Sequence, residues 1–309
     1  MRSIFYFLIF PGVLFTAVVG LLLTWVDRKI TARLQWRVGP PWYQPFVDFF
    51  KLLGKELIIP KESSKWLFLL APLLGFAAVT IVSIILWASM LNPSGAVYGD
   101  LIVVLYISVI PALSVIIGGF ASKNPMASLG ASREVKLLLA YELPFIISVF
   151  VPVILSGGII NLGGLLDFQG RNSGFLHHPS AILAFITAII CVQAKLTLIP
   201  FDSPEAEAEI TSGAYIEYSG PGLAFYKLTR AMNFFVMPLF LSILFLDGIR
   251  FDSVLSFVAG SLKVIAIIVV LILIKNTNPR VRIDQAVKFF WGPMAAIAVV
   301  AAILAFMGF

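Results

Sequence analysis

Asp202, Glu205, Glu207, Glu209 and Glu217 fall within sixteen residues, in the run Ile199-Pro-Phe-Asp-Ser-Pro-Glu-Ala-Glu-Ala-Glu-Ile-Thr-Ser-Gly-Ala-Tyr-Ile-Glu-Tyr-Ser-Gly220. Long apolar stretches flank the run on both sides. Carboxylates this close to a bilayer are costly unless they face water, a partner or an ion path. Pro204 suits the first turn of a helix, and Asp202 or Ser203 can cap it. The run therefore predicts a helix near 204–212, with Glu205 and Glu209 on one face and Glu207 turned away. Neighbouring carboxyls raise one another's proton affinity, which suits a proton relay. A solvated acidic helix docked on a basic partner fits the same residues, and both readings stand.

A second acidic pair, Glu134 and Glu142, is eight residues apart. On a helix the two are separated by roughly 80°, so both can face one cavity. Glu142 lies inside an apolar run, one turn from Pro144, and an ionisable residue at that depth is a functional candidate by default. Glu134 has Arg133 and Lys136 beside it for pairing. Arg28, Arg33 and Arg37 follow the first apolar segment. Arg33 and Arg37, four apart, are expected to share a face, and this basic group fits either pairing with the acidic run or anchoring to lipid headgroups. Asp48 joins them as a charged residue of the same connection. Arg280, Arg282 and Asp284 occupy the last connection, and Lys263 sits near the end of an apolar span, where it can snorkel. The single cysteine, Cys191, cannot hold an iron–sulfur cluster. His177 and His178 are adjacent and do not make a metal site alone. The chain is expected to bind no redox cofactor by itself.

These residues are set in a chain that is 60% hydrophobic and only 12% charged, with mean hydropathy +1.00. Soluble domains carry about 25% charged residues, so the composition specifies an integral membrane protein, all-α, as one membrane domain over 1–309. Eight apolar segments of spanning length are read near 4–26, 66–90, 101–122, 137–158, 180–198, 222–246, 253–274 and 289–308. The first is expected to be a span and not a removed signal peptide. Lys and Arg cluster in alternate connections: at 28–65, at 123–136, around 195–230 and at 275–288. The positive-inside rule then places those connections in the cytoplasm and both termini outside, in the cell membrane. The net charge of +6 reports this topology, and no nucleic-acid partner is expected. Phe46, Phe49, Phe50, Leu53 and Leu57 recur at helical spacing among Asp48, Lys51, Lys55 and Glu56, which predicts an amphipathic surface helix over about 45–57. Pro111, Pro144, Pro152 and Pro238 fall inside spans, where freed carbonyls need neighbours or water. No internal repeat of the kind that marks many secondary transporters is evident.

Four blocks together resemble a known family. They are Val26-Asp-Arg-Lys-Ile-Thr-Ala-Arg-Leu-Gln-Trp-Arg-Val-Gly-Pro40 with Asp48-Phe-Phe-Lys-Leu-Leu-Gly-Lys-Glu56; Leu129-Gly-Ala-Ser-Arg-Glu134 leading to Tyr141-Glu-Leu-Pro144; Ile199 to Gly220; and Asn276-Thr-Asn-Pro-Arg-Val-Arg-Ile-Asp-Gln285. They look like the membrane anchor subunit shared by respiratory complex I and the membrane-bound group 4 nickel–iron hydrogenases. Gly130-Ala-Ser-Arg-Glu134 and the last block resemble the hydrogenase branch, which includes a related sulfane sulfur reductase. Complex I members usually carry an Ala-Glu-Tyr pattern in the sixth span, and Leu228-Thr-Arg-Ala231 stands here instead. The resemblance implies a non-catalytic anchor without a redox centre. Its nickel–iron centre and iron–sulfur clusters would lie in a hydrogenase-like large subunit and an iron–sulfur small subunit on the cytoplasmic side. Antiporter-like and small membrane subunits and lipid would be its other partners. The carboxylates Glu134, Glu142, Asp202, Glu205, Glu207, Glu209 and Glu217 would couple the arm's electron transfer to H⁺ or Na⁺ movement. Alternatives are a quinone-binding anchor, a sulfane sulfur reductase anchor and a stand-alone secondary transporter.

Overall fold

The computed structural model of the chain describes residues 7–93, 100–171 and 174–308, with the side chains of Glu207 and Ala208 outside the description. The described residues are all-α. The main helices are α1 (Val13–Leu34), α2 (Gln44–Leu53), α3 (Lys65–Leu91), α4 (Leu101–Ile107), α5 (Ile110–Ala121), α6 (Pro125–Leu155), α7 (Leu162–Arg171), α8 (Pro179–Lys195), α9 (Gly220–Phe245), α10 (Val254–Thr277), α11 (Ile283–Phe289) and α12 (Ala295–Phe306).

Among the described residues six stretches are long and apolar enough to cross a bilayer: α3, Leu101–Ala121, α6, α9, α10 and Ile283–Phe306. Each of the eight expected apolar segments holds a helix, but α8 is too short and α1 too charged to join them. α8 has 17 residues, and the last turns of α1 carry Asp27, Arg28, Lys29 and Arg33. Two spanning stretches are interrupted. Leu101–Ala121 breaks at Ser108 and Val109 just before Pro111, because proline cannot donate into the preceding turn. Ile283–Phe306 passes through a π-helical turn, Phe290–Met294, around Pro293. α6 begins twelve residues before the apolar segment read from sequence. Asn124 caps it by accepting from Met126 N at 2.8 Å, with Pro125 in the first turn. That extension brings Glu134 inside the helix.

The amphipathic helix is shorter than expected, because Gly54 stops α2 at Leu53 and the chain runs on without helix to Pro60. The expected continuous helix over 204–212 does not form. A 3-10 turn, Ser203–Glu205, is followed by extended backbone at Ala206, a short helical turn, Glu207–Ile210, and a further 3-10 turn, Gly213–Tyr215. Thr211 and Ser212 adopt left-handed backbone that a helix excludes. Glu205 and Glu209 thus no longer share a helical face.

α9 is the axis of the bundle, with nearly all of its apolar stretch buried. α1, α2, α3, α8 and α10 pack around it, while α6 joins α5, α8 and α12 on the other side. Small residues set the closest approaches, as expected where lipid gives helices little hydrophobic drive to associate. A Cβ on Gly20 of α1 would lie 2.5 Å from the Ala231 carbonyl oxygen of α9. At the far end of α9, Gln169 of α7 donates to the Ile243 carbonyl at 2.9 Å and accepts from Asp247 N at 2.9 Å. Lys263 does not snorkel outward; its Nζ donates to the Leu246 carbonyl at 2.7 Å, answering an orphan carbonyl at the helix end.

Gly130 of α6 decides where the acidic connection docks. A Cβ there would stand 2.6 Å from Ala214 N and 2.8 Å from Gly213 Cα. Gly130→Val therefore displaces the 199–220 connection, at a cost of about 1–3 kcal/mol typical of overpacking. Limited proteolysis is expected to cut within 205–217 faster in the variant than in wild type, and equal rates would contradict this docking.

Candidate functional site

Each acidic residue of the 199–220 connection with a described side chain is answered by a different helix or loop. Asp202 takes a two-point contact from Arg280, with Nε–Oδ1 at 2.7 Å and Nη2–Oδ2 at 2.5 Å. Glu205 pairs with Arg230 of α9 and accepts from Thr197 Oγ1 at 2.9 Å. Glu209 pairs with Arg133 of α6 at 2.6 Å. Glu217 accepts from Asn124, the residue that caps α6. The side chain of Glu207 lies outside the described residues. The carboxyl–carboxyl pairing expected of Glu205 and Glu209 is thus replaced by carboxyl–guanidinium pairing, because the broken backbone turns the two toward different partners.

The turn that positions Glu205 comes directly after α8. Leu198 N donates to the Gln193 carbonyl at 3.1 Å and Thr197 N to the Ala194 carbonyl at 2.9 Å, the paired bonds of a Schellman cap. Thr197 takes the left-handed position, at φ +48°. Arg230 donates to its carbonyl at 3.1 Å, so one arginine holds both the turn and Glu205.

Behind this turn lies a cavity of about 40 Å³ lined by Glu134, Lys195, Thr197, Glu205, Tyr215, Arg230 and Asn233, among others. That exceeds the ~10–15 Å³ one water needs. Glu134 is 2% exposed, and its Oε2 and the Asn233 Oδ1 have no hydrogen-bond partner among the described residues. Glu205, Tyr215, Tyr226 and Arg230 also line a wider cavity of about 350 Å³. Burial holds the Tyr215 hydroxyl well above the usual phenol range, so it stays a neutral donor in that wall.

Deeper in the bundle, Glu142 of α6 meets Lys195 at the end of α8, with Nζ 3.2 Å from Oε2 and 3.5 Å from Oε1. The Lys195 ammonium also lies 4.7 Å from the Phe145 ring centroid and 5.8 Å from that of Tyr141. Glu134 lines the small cavity and Glu142 does not; Lys195, which pairs with Glu142, lines that cavity too. Removing either member of such a pair strands a buried charge, which costs about 3–5 kcal/mol. Read as sequence, Lys195 and Arg230 report only topology. The signal that could have found Lys195 is the one that found Glu142: an ionisable side chain at the end of an uninterrupted apolar run.

The basic residues of the first connection separate. Arg28 pairs with Asp48 of α2 at 2.8 Å, not with the acidic run. Burial raises the Asp48 carboxyl, but hydrogen bonds from Arg28 and Gln44 outweigh it and hold the group below its usual range. Arg33 and Arg37 do not share a helical face, since α1 ends at Leu34 and Trp36 turns left-handed. Both are exposed. Arg282 and Asp284 are exposed at the start of α11, where Arg282 N donates to Gln285 Oε1. Asp27, which sequence reasoning misses as a site residue, pairs with Lys275 of α10 at 2.7 Å. A third cavity of about 330 Å³ opens between α1, α2 and α9, with Asp27, Arg28, Asp48, Lys227, Arg230 and Lys275 around an apolar wall that includes Phe49, Leu198 and Phe234. Among the described residues no three His, Cys, Asp or Glu side chains come together as a metal site.

The hydrogen bond from Arg133 holds the Glu209 carboxyl below its ordinary 4.5. A depressed carboxyl adds stability above its unfolded value, and that contribution disappears as pH falls through the folded value. Docking of 199–220 is therefore expected to be flat from neutral pH down to about 4.5 and to loosen below it. Arg133→Gln should loosen the segment already at neutral pH. Hydrogen exchange of the Glu209 and Ile210 amides measures both, and unchanged exchange in the variant at neutral pH would show that Arg133 does not hold the segment.

A family model described as NADH dehydrogenase matches residues 7–306. The H subunit of NADH-quinone oxidoreductase from Geobacillus thermodenitrificans (strain NG80-2) is 34% identical over 289 residues, covering 90% of this chain and 86% of that protein. The same-named protein of Bacillus mycoides (strain KBAB4) is 34% identical over 309 residues, covering 94% and 91%. Among solved structures, a chain of the membrane-bound sulfane sulfur reductase, an archaeal respiratory membrane complex, superposes with a TM-score of 0.84 at 28% identity, covering 94% of this chain and 96% of that one. The chain therefore belongs to the NADH dehydrogenase family and is a multi-pass membrane protein homologous to the H subunits of the NADH-quinone oxidoreductases.

Proposed function

We propose that the chain is the non-catalytic membrane anchor and coupling subunit of an energy-converting complex of the membrane-bound nickel–iron hydrogenase type. It docks a cytoplasmic redox arm and links electron transfer there to H⁺ or Na⁺ translocation. The observation that carries the reading is the charged path from the 199–220 connection through Glu205, Arg230 and the small cavity with Glu134 to the Glu142–Lys195 pair. One end lies on a surface segment where an arm can bind, and the other is buried in the bundle. The Gly130-Ala-Ser-Arg-Glu134 pattern favours the hydrogenase branch. So does Arg230, which fills the Leu228-Thr-Arg-Ala231 stretch and is committed to Glu205. The same anchor serves a sulfane sulfur-reducing arm equally well, and the superposition on the sulfane sulfur reductase chain supports that variant. A quinone-linked complex is the second reading, favoured by the names of the bacterial relatives and by the roomy cavity between α1, α2 and α9.

In this reading the partners are a nickel–iron large subunit and an iron–sulfur small subunit carrying those centres, with antiporter-like and small membrane subunits alongside. α1 and α8 complete eight spans, both termini lie outside, and the connections at 28–65 and 199–220 face the cytoplasm. Arg33, Arg37, Arg282 and Asp284, exposed on that side, are free to meet the arm.

Purification of the tagged chain from native membranes separates the branches. Co-purified nickel and iron support the hydrogenase type, iron with bound quinone supports the second reading, and a monomer without redox partners points to a stand-alone transporter. Asp48→Cys and Glu209→Cys should be labelled from the cytoplasmic side alone. In the assembled complex, Glu142→Gln should leave arm turnover on artificial electron donors intact and lower ion translocation per electron about tenfold or more, the scale of one pKa unit. Unchanged translocation would leave the buried path a structural feature only.

A further inference from the structure

The buried path is not made of carboxylates alone. Lys195 stands between Glu134 and Glu142, and nothing in its position suits a mere topology signal. Its side chain is 1% exposed. An ammonium has three donors, and among the described residues the only hydrogen-bond acceptors it reaches are the two oxygens of Glu142. The rings of Phe145 and Tyr141 flank it. It also lines the small cavity that holds Glu134 and Asn233, each with a buried oxygen that lacks a partner among the described residues. The charged and titratable groups around it are Glu134, Glu142 and Tyr141 on α6, Tyr226 and Arg230 on α9, Glu205 and Tyr215 in the acidic connection, and Cys191 on its own helix.

We propose that Lys195 is itself a proton carrier that joins the Glu134 side of the path to Glu142. The proposal rests on the coupling reading above. In the first step Nζ gives one proton to Oε2 of Glu142: an N–H bond breaks, an O–H bond forms, and a neutral amine faces a neutral acid. In the second step the amine lone pair takes a proton from the Glu134 carboxyl through a water in the cavity. The ammonium is restored, and Glu134 is left as a carboxylate for reloading from the Glu205 end. No electrons move, and the net change is one proton from Glu134 to Glu142. Two features favour lysine for this. Its ammonium gives up a proton readily when buried, whereas a guanidinium does not. The four-carbon stem lets Nζ swing between the two carboxyls without moving the backbone of α8.

The test is a set of substitutions in the assembled complex in vesicles, reading arm turnover on an artificial donor and ions moved per electron across pH. Lys195→Arg keeps the charge and the contact with Glu142 but does not release its proton. Arm turnover is expected to persist while ion movement per electron falls about tenfold or more. Lys195→His restores a titratable base with an ordinary pKa of about 6.5 against about 10.4 for lysine, so it should move ions with a pH profile displaced toward acid. If Lys195→Arg pumps as wild type does, or Lys195→His pumps with an undisplaced profile, Lys195 only pairs with Glu142 and the proposal is overturned. Should the arginine variant not assemble, the histidine profile decides alone. Glu142→Gln, run in parallel, keeps the two ideas apart. Loss of pumping there with normal pumping in Lys195→Arg removes only the lysine step, whereas normal pumping in Glu142→Gln removes the coupling reading itself.

Discussion

A charge withdrawn from water must be answered by another, and in this bundle that constraint fixes the arrangement of the helices that matter. Desolvating each ion of the Glu142–Lys195 pair costs several kcal/mol, so α6 and α8 are held in the register that keeps Nζ at 3.2 Å from the carboxylate. α12 packs against both of them. Its π-helical turn brings Phe290 to 4.8 Å from Phe201 and 6.4 Å from Tyr141, centroid to centroid. The rings of Tyr141 and Phe145 flank the ammonium, while the small cavity leaves one side of Lys195 open to water.

The same constraint organises the acidic connection. Arg133, Arg230 and Arg280 come from α6, from α9 and from the link between α10 and α11, and each takes one carboxylate of the connection. A segment without a continuous helix is thereby tied to three separate parts of the bundle. These contacts differ in exposure, and so in weight. Glu209 and Arg133 are open to solvent, where an ion pair contributes at most about 1 kcal/mol. Glu205 and Asp202 are largely covered, and their guanidinium partners are the stronger ties. Of these carboxylates, Glu205 lines both the wide cavity and the small one.

Much of this was legible in the sequence. Mean hydropathy and segment length specify the helical membrane fold, and Glu142, Asp202, Glu205, Glu209 and Glu217, read there as candidates, are found paired or hydrogen-bonded. What escaped the sequence is partnership and backbone detail. Helical spacing pairs Glu205 with Glu209, but Ala206 is extended and the two carboxylates separate. Spacing pairs Arg33 with Arg37, but the helix ends between them. Arg28 suggests the acidic run as partner and finds Asp48, because α2 folds back beside the end of α1. The cationic half of the buried path was hidden for a simple reason. In a membrane protein Lys and Arg near span ends are first read as topology, and only packing shows that Lys195 is enclosed while Arg33 is not.

Thr197 shows how far the fold bends local preference to hold this site. Position C′ of a Schellman cap is normally glycine, since a β-branched residue in left-handed backbone is strained by about 1–2 kcal/mol. Here the single threonine hydroxyl proton is shared between Glu205 at 2.9 Å and the Leu196 carbonyl at 2.8 Å, and the Thr197 carbonyl accepts from Arg230 at 3.1 Å. The carbonyl bond is open to any residue at this position, so only the hydroxyl offsets the strain, and a hydrogen bond to a charged group contributes about 1.5–3 kcal/mol. Glycine would make the turn without strain and leave Oε1 of Glu205 without its hydroxyl donor. The orientation of Glu205 is therefore set by the end of α8 and not by its own irregular segment. Because α8 also ends in Lys195, one strained turn fixes the outer carboxylate and the inner ammonium of the path relative to each other.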